Sequence, residues 1–264
     1  MPNRFLQCVL FSLLLCAPCR GEEAVFPHEI PNRKPDMELS SAMERMFRYP
    51  APRVQDNELF SQFKYTPLQG FDNNGGDGTI SRRDPSRPIL VNGRYHIWYT
   101  RRHTAVPPIG ASRAHEATDQ IPSTDWDLCE IWHATSKDGF TWEEQDLAVP
   151  RPPKPIPGWR SVATPDILVW KGKYYLYYQA FVEPSGMRGD WCAVSASYAD
   201  SPEGPWTHTH RTIIETGKKG HWDQDAIHDP HPVVYKGKIY TYYKAAYNKW
   251  PEVRDKYAVG LGLA

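Results

Sequence analysis

Three stretches of this chain carry one pattern in one order, and that recurrence limits the folds open to it more than any other feature. The first runs from Arg83-Asp84-Pro85-Ser86 through Ile89-Leu90-Val91 and Asn92-Gly93-Arg94 to Tyr95-His96-Ile97-Trp98-Tyr99. The second runs from Thr164-Pro165-Asp166 through Ile167-Leu168-Val169 and Lys171-Gly172-Lys173 to Tyr174-Tyr175-Leu176-Tyr177-Tyr178. The third runs from His228-Asp229-Pro230 through Val233-Val234 and Lys236-Gly237-Lys238 to Ile239-Tyr240-Thr241-Tyr242-Tyr243. Each holds an Asp beside a Pro, a β-branched run, an x-Gly-Lys/Arg turn and an aromatic strand. That is a strand, a tight turn and a strand, with Gly where a positive φ is needed.

A third strand follows each hairpin, over residues 131–136, 193–199 and 257–264. Two of these continue into similar turns, Ser136-Lys137-Asp138-Gly139-Phe140-Thr141-Trp142 and Ser201-Pro202-Glu203-Gly204-Pro205-Trp206, where the Trp opens an outer strand. The repeating unit is therefore four antiparallel strands, and four-stranded units at such periods predict a β-propeller. The longer first period holds an insert over residues 104–125, after the second strand. The third unit ends inside its third strand. A closed propeller needs roughly four or more blades, so residues 79–264 read as a partial propeller of about three blades in a C-terminally truncated sequence.

Composition agrees with an all-β body. Lys+Arg and Asp+Glu are equal at 31 each, which argues against a nucleic-acid binder. A mean hydropathy of -0.62 excludes a polytopic membrane protein. The 25 Pro, 10 Trp and 15 Tyr disfavour a helical bundle and suit a loop-rich fold with aromatic-lined clefts. Arg4, the apolar run 5–17 and the closing Pro18-Cys19-Arg20-Gly21 make residues 1–21 a secretory signal peptide, hence a secreted or periplasmic protein with no membrane segment after cleavage. A lipoprotein is disfavoured, because Leu15 and Pro18 precede Cys16 and Cys19. Cys129 and Cys192 remain in the mature chain, either as one disulfide or as two buried thiols.

Residues 22–78 form an extension with a helical hairpin. Met37, Leu39, Ala42, Met43, Met46 and Phe47 lie near helical spacing over 37–48, with Pro50 as a stop, and residues 56–65 read as a second short helix. Its apolar face has no core of its own and must dock on something.

The chemistry lies in the inner-strand aspartates. Asp84, Asp166 and Asp229 read as equivalent places of three units, at one end of a central channel. Carboxylates sharing a cavity raise one another's pKa unless cations or hydrogen bonds offset them, and such pairs give glycosidases an acid and a base. Asp-Pro is also an ordinary turn cap. Glu203 reads as part of an outer turn. Trp126, Trp132 and Gln179 are placed to stack on or hydrogen-bond a sugar. His221, His228 and His231 flank Asp229 without tight ligand spacing, so no metal site is assigned. Hydrolysis by carboxylates requires no cofactor, and there is room for a divalent cation near the site.

The ordered set of motifs resembles the five-bladed propeller glycosidases. Ser40-Ser41-Ala42-Met43-Glu44-Arg45 is similar to the Ser-x-Ala-x-x-Arg helix of glycoside hydrolase family 117, the α-1,3-(3,6-anhydro)-L-galactosidases or neoagarobiose hydrolases. The resemblance runs from about residue 37 to 264. It implies exo-release of 3,6-anhydro-L-galactose from neoagaro-oligosaccharides with inversion, in agar degradation, by a homodimer swapped through the N-terminal helices. It implies Asp84 as the general base and Asp229 as a carboxylate tuning the acid. Thr164, Gln179 and Trp126 are the implied sugar contacts, with Asp166 and His228 beside them. The family's acid side, a His-Glu pair in a later blade, has no counterpart here, so this chain is expected to be inactive by itself. Two readings from other classes stay open: an arabinan or xylan glycosidase of the same architecture, and a non-catalytic carbohydrate-binding propeller.

Overall fold

The computed structural model describes residues 68–72, 74–188, 190–221, 223–247 and 258–263. The signal segment and the helical hairpin expected over 37–65 lie outside them. Within them the chain is all-β: the helical pieces are 3-10 turns at Asn74–Gly76 and Ala111–Glu116. Twelve strands form three antiparallel sheets in chain order. The first holds β1 (Ile80–Arg83), β2 (Ile89–Val91), β3 (Arg94–His103), β4 (Glu130–Ser136) and β5 (Trp142–Val149). The second holds β6 (Ser161–Trp170), β7 (Lys173–Phe181), β8 (Cys192–Ala199) and β9 (Thr207–Ile214). The third holds β10 (Ala226–Tyr235), β11 (Lys238–Tyr247) and β12 (Ala258–Leu263). Each sheet is an up-and-down meander, and β1 and β2 are two halves of one inner strand, both paired with β3.

The three x-Gly turns are built alike. Asn92 and Gly93 lie at φ 49 and 76, Lys171 and Gly172 at 50 and 74, and Lys236 and Gly237 at 49 and 73. Two successive positive φ values make a type I′ turn, whose twist matches the strands it joins. The outer turns are held by side chains. Asp138 Oδ1 accepts the N–H groups of Thr141 at 2.7 Å and Phe140 at 2.8 Å, and the Ser136 hydroxyl at 2.9 Å. These bonds hold its carboxyl down at about 2. In the matching turn Ser201 donates to Glu203, which bears out a turn role for that residue.

The sheets pack face to face, so their middle strands are apolar on both sides. Along β7, Leu176 and Tyr178 join Trp98, Ile131, Val149, Val162 and Ile167 against the first sheet. The alternate residue Tyr177 joins Val194, Ile227, Tyr243 and Ala245 against the third. This is the period-2 alternation of a strand buried on both faces. The insert is pinned to the start of β6 by a buried ion pair. Arg160 donates to Asp127 at 2.6 and 2.5 Å, with both side chains 2% exposed or less. Ser123 completes the Asp127 shell through its N–H at 2.7 Å and its hydroxyl at 2.9 Å. Cys129 and Cys192 are both free and buried, so the disulfide alternative falls.

Candidate active site

Every inner strand is broken at one place, by the residue before a proline. Register jumps from His228 to His231 in β10 and from Ala163 to Asp166 in β6, and the gap between β1 and β2 is the same break. The residue ahead of Pro85, Pro165 or Pro230 is Asp84, Thr164 or Asp229, at φ 48, 50 and 51. A residue before proline prefers extended backbone, and a left-handed one costs about 1–2 kcal/mol. For the β-branched Thr164 the conformation is a genuine outlier. Three such residues in register are what a strained functional position looks like.

This corrects the alignment of the three aspartates. Thr164 is the partner of Asp84 and Asp229, whereas Asp166 pairs with Tyr177 as His231 pairs with Tyr242. Asp166 is 7% exposed. It accepts from Arg87 Nε at 3.0 Å and Nη2 at 2.5 Å, and faces His231 Nδ1 at 2.7 Å. Arg87 also donates to the Pro232 carbonyl at 3.1 Å. Asp166 thus ties the loop after Asp84 to the inner strands of the other two sheets.

The two aspartates at the breaks remain open to solvent, with side chains 29% exposed for Asp84 and 44% for Asp229. Of the arginines near Asp84 in sequence, Arg83 alone bonds it, through Nε to Oδ2 at 2.7 Å. Arg82 turns to Glu144 at 2.7 Å, and Arg87 to Asp166. Asp229 is held at both oxygens, by Gln179 Nε2 at 2.7 Å on Oδ1 and by Lys244 Nζ at 2.6 Å on Oδ2. Thr164 donates its backbone N–H to Thr100 Oγ1 at 2.7 Å.

The other expected sugar contacts sit around this group in committed positions. Arg83 lies over the Trp126 ring at 4.7 Å. The Trp126 indole N–H is shared between Ser185 at 2.8 Å and Asp190 at 3.2 Å, and the ring packs on Ala163, Phe181 and Cys192. Gln179 and His228 are both buried. Burial and the Lys244 charge push the His228 imidazolium toward its neutral form, and burial pushes the neighbouring Cys192 thiol well up. Trp132 stands apart, on β4 beneath Arg101 at 4.2 Å. It lines a separate cavity of about 290 Å³ with Arg101, Glu130 and Arg151.

Thr100 and Lys244 are the residues that sequence reasoning passed over, although a signal for both was present. Thr100, Gln179 and Lys244 each follow the aromatic pair of their repeat, after Trp98-Tyr99, Tyr177-Tyr178 and Tyr242-Tyr243. Chemically, the arrangement offers a solvent-facing carboxylate beside an arginine, a second carboxylate clamped by an amide and an ammonium, and a threonine between them in the order of the sheets.

No protein-family model matches the chain, and neither does any of the curated proteins. Among solved structures it is similar to a family 117 glycoside hydrolase produced by the marine bacterium Zobellia galactanivorans, with 75% identity and a TM-score of 0.72. That alignment covers 79% of this chain and 59% of the other, so the chain spans less than two thirds of that relative's length. A structure described as a glycoside hydrolase is similar in fold alone, at 12% identity and a TM-score of 0.52, over 86% of this chain and 62% of that one. Three-quarters identity over most of its residues, with the repeat and its strained aspartates in place, decides the assignment: the chain belongs to glycoside hydrolase family 117.

Proposed function

We propose that this protein is an exo-acting glycoside hydrolase that cleaves the α-1,3 linkage of neoagaro-oligosaccharides with inversion, releasing 3,6-anhydro-L-galactose. The observation that carries the proposal is the pair Asp84 and Asp229, at equivalent left-handed breaks of two inner strands, in a chain 75% identical to a family 117 glycoside hydrolase. Asp84 is the general base. Its carboxylate takes a proton from the attacking water, and Arg83 holds one of its oxygens. Inversion needs a water between the base and the anomeric carbon, and the exposed face of Asp84 leaves room for one. Asp229 is the supporting carboxylate, and Thr164 faces the sugar. The fold is a five-bladed propeller, of which the three sheets are consecutive blades. Catalysis requires no cofactor. The protein is exported by residues 1–21 and pairs with a second copy through residues 37–65.

A substrate panel tests the proposal. The complete enzyme, carrying the acid side that the family resemblance implies, is expected to release reducing sugar from neoagarobiose and to leave arabinan and xylan oligosaccharides intact. Hydrolysis of arabinan with no action on neoagarobiose would replace the substrate assignment. Sugar binding without hydrolysis of any of them would make the protein a lectin.

A further inference from the structure

The place after each aromatic pair has a use common to two sheets. Thr100 on β3 accepts the N–H of Thr164, the break residue of the next sheet, at 2.7 Å. Gln179, at the same register place on β7, donates to Asp229, again the break residue of the next sheet, at 2.7 Å. Lys244 is the third member of the series and lies opposite His228, next to Asp229 on the ladder. Its Nζ is 2.6 Å from the Asp229 oxygen that Gln179 leaves free.

We propose that Gln179 and Lys244 are a two-sided clamp that sets the orientation of Asp229, and that Gln179 is a positioning residue rather than a sugar contact. The inference rests on the glycosidase reading and deepens it. Gln179 is 4% exposed, which leaves little of it for a substrate to touch. Its amide nitrogen is bonded to Asp229, and its carbonyl oxygen lies 3.9 Å from the Cys192 thiol, at the outer limit of a sulfur hydrogen bond. The carboxylate thus has a neutral donor from the preceding sheet on one oxygen and a cation from its own sheet on the other. Two donors on two oxygens fix the rotation of the carboxylate plane, which one donor does not. Charge-assisted bonds are the stronger kind, so Lys244 supplies the stiffness and Gln179 the angle. A left-handed backbone at Asp229 leaves the carboxylate partly open to solvent, and the clamp then holds it there.

The test uses the native protein with Gln179→Met, Lys244→Met and Lys244→Arg. Positioning predicts that both Met variants lower kcat by about tenfold or more with KM changed less than about threefold, because the carboxylate acts on the transition state. Lys244→Arg is expected to recover most of the lost rate. A Gln179→Met variant that raises KM about tenfold at unchanged kcat would make Gln179 a sugar contact and overturn the clamp. So would a Lys244→Met variant with wild-type kcat. Crystal structures of the two Met variants provide a readout free of substrate. Displacement of the Asp229 carboxylate supports the clamp even where neoagarobiose proves to be the wrong substrate, and an unmoved carboxylate in both refutes it. If Lys244→Met fails to fold, Lys244→Gln replaces it under the same criteria.

Discussion

At the scale of the residue, the same amino acid does different work one step apart. Asp84 and Asp229 precede a proline and are turned outward by a left-handed backbone. Asp166 follows a proline, points inward and is paired with Arg87 and His231. The expected effects of substitution differ accordingly. Asp166→Ala removes a nine-tenths buried carboxylate and leaves the partly exposed Arg87 with the Pro232 carbonyl but no counter-charge. It is expected to cost about 2 kcal/mol, a fall in Tm of roughly 4–8 °C. Calorimetry checks this, and an unchanged Tm would remove Asp166 from its role as a tie between sheets. Asp127→Ala takes the buried carboxylate from a buried arginine, leaving it the Thr118 and Ile121 carbonyls, and is expected to cost more, about 3 kcal/mol. The distinction among the aspartates was partly legible in the sequence. Aligning the repeats on their aspartates places Asp166 wrongly, whereas aligning them on Pro85, Pro165 and Pro230 places Thr164 correctly. A proline removes a ladder donor and so marks where pairing breaks, while an aspartate's task depends on what surrounds it.

At the scale of the element, the hairpins were the most legible part of the chain, because a type I′ turn demands residues that tolerate positive φ and advertises them. Asn92-Gly93 is the clearest case. Gly93 lies at φ 76 with open space around it, so Gly93→Ala meets no neighbour and its cost is conformational, about 1 kcal/mol. A chemical denaturation curve checks the value, and a neutral or stabilising result would contradict the turn geometry. Packing between elements was not legible. His96 on β3 and His133 on β4 are buried, stacked and joined by a 3.0 Å Nδ1···Nε2 bond in front of Trp98. Burial, and then His96, push the His133 imidazolium down to about 4, and burial lowers His96 too. Glu203 opposes both shifts weakly, and Arg94 adds to that on His96. A folded pKa below the unfolded value of about 6.5 means that the unfolded chain binds the proton more readily. The contribution is therefore whole above about pH 6.5 and is lost as pH falls toward 4, at up to about 1.4 kcal/mol per pH unit for one site. His133→Gln is expected to flatten that part of the stability profile. An unchanged slope between pH 6.5 and 4 would mean that the pair does not stay neutral.

At the scale of the whole molecule, the recurrence of one four-stranded unit was enough to read an all-β fold and the order of its sheets. What repeats in the chain also repeats in space: the same turn and the same break. Long-range geometry was less accessible. The bond from Gln179 to Asp229 joins residues 50 apart, and the one from Arg87 to Asp166 spans 79 positions. No local pattern encodes either. The sequence pattern over residues 37–65 leads to an expectation about assembly, that removal of this segment converts a dimer into a monomer or an aggregate. Light scattering measures this, and a dimer that persists without the segment would sink the proposed pairing. The central claim concerns Asp84, which is held by Arg83 and faces solvent. The most direct measurement compares turnover of neoagarobiose by the complete enzyme and by its Asp84→Asn variant, with substrate binding followed in parallel. The variant is expected to lose turnover by about 10² or more while binding the disaccharide within a few-fold of the native protein. Near-normal turnover in the variant would remove Asp84 as the base, and no release of 3,6-anhydro-L-galactose by the folded complete enzyme would overturn the assignment itself.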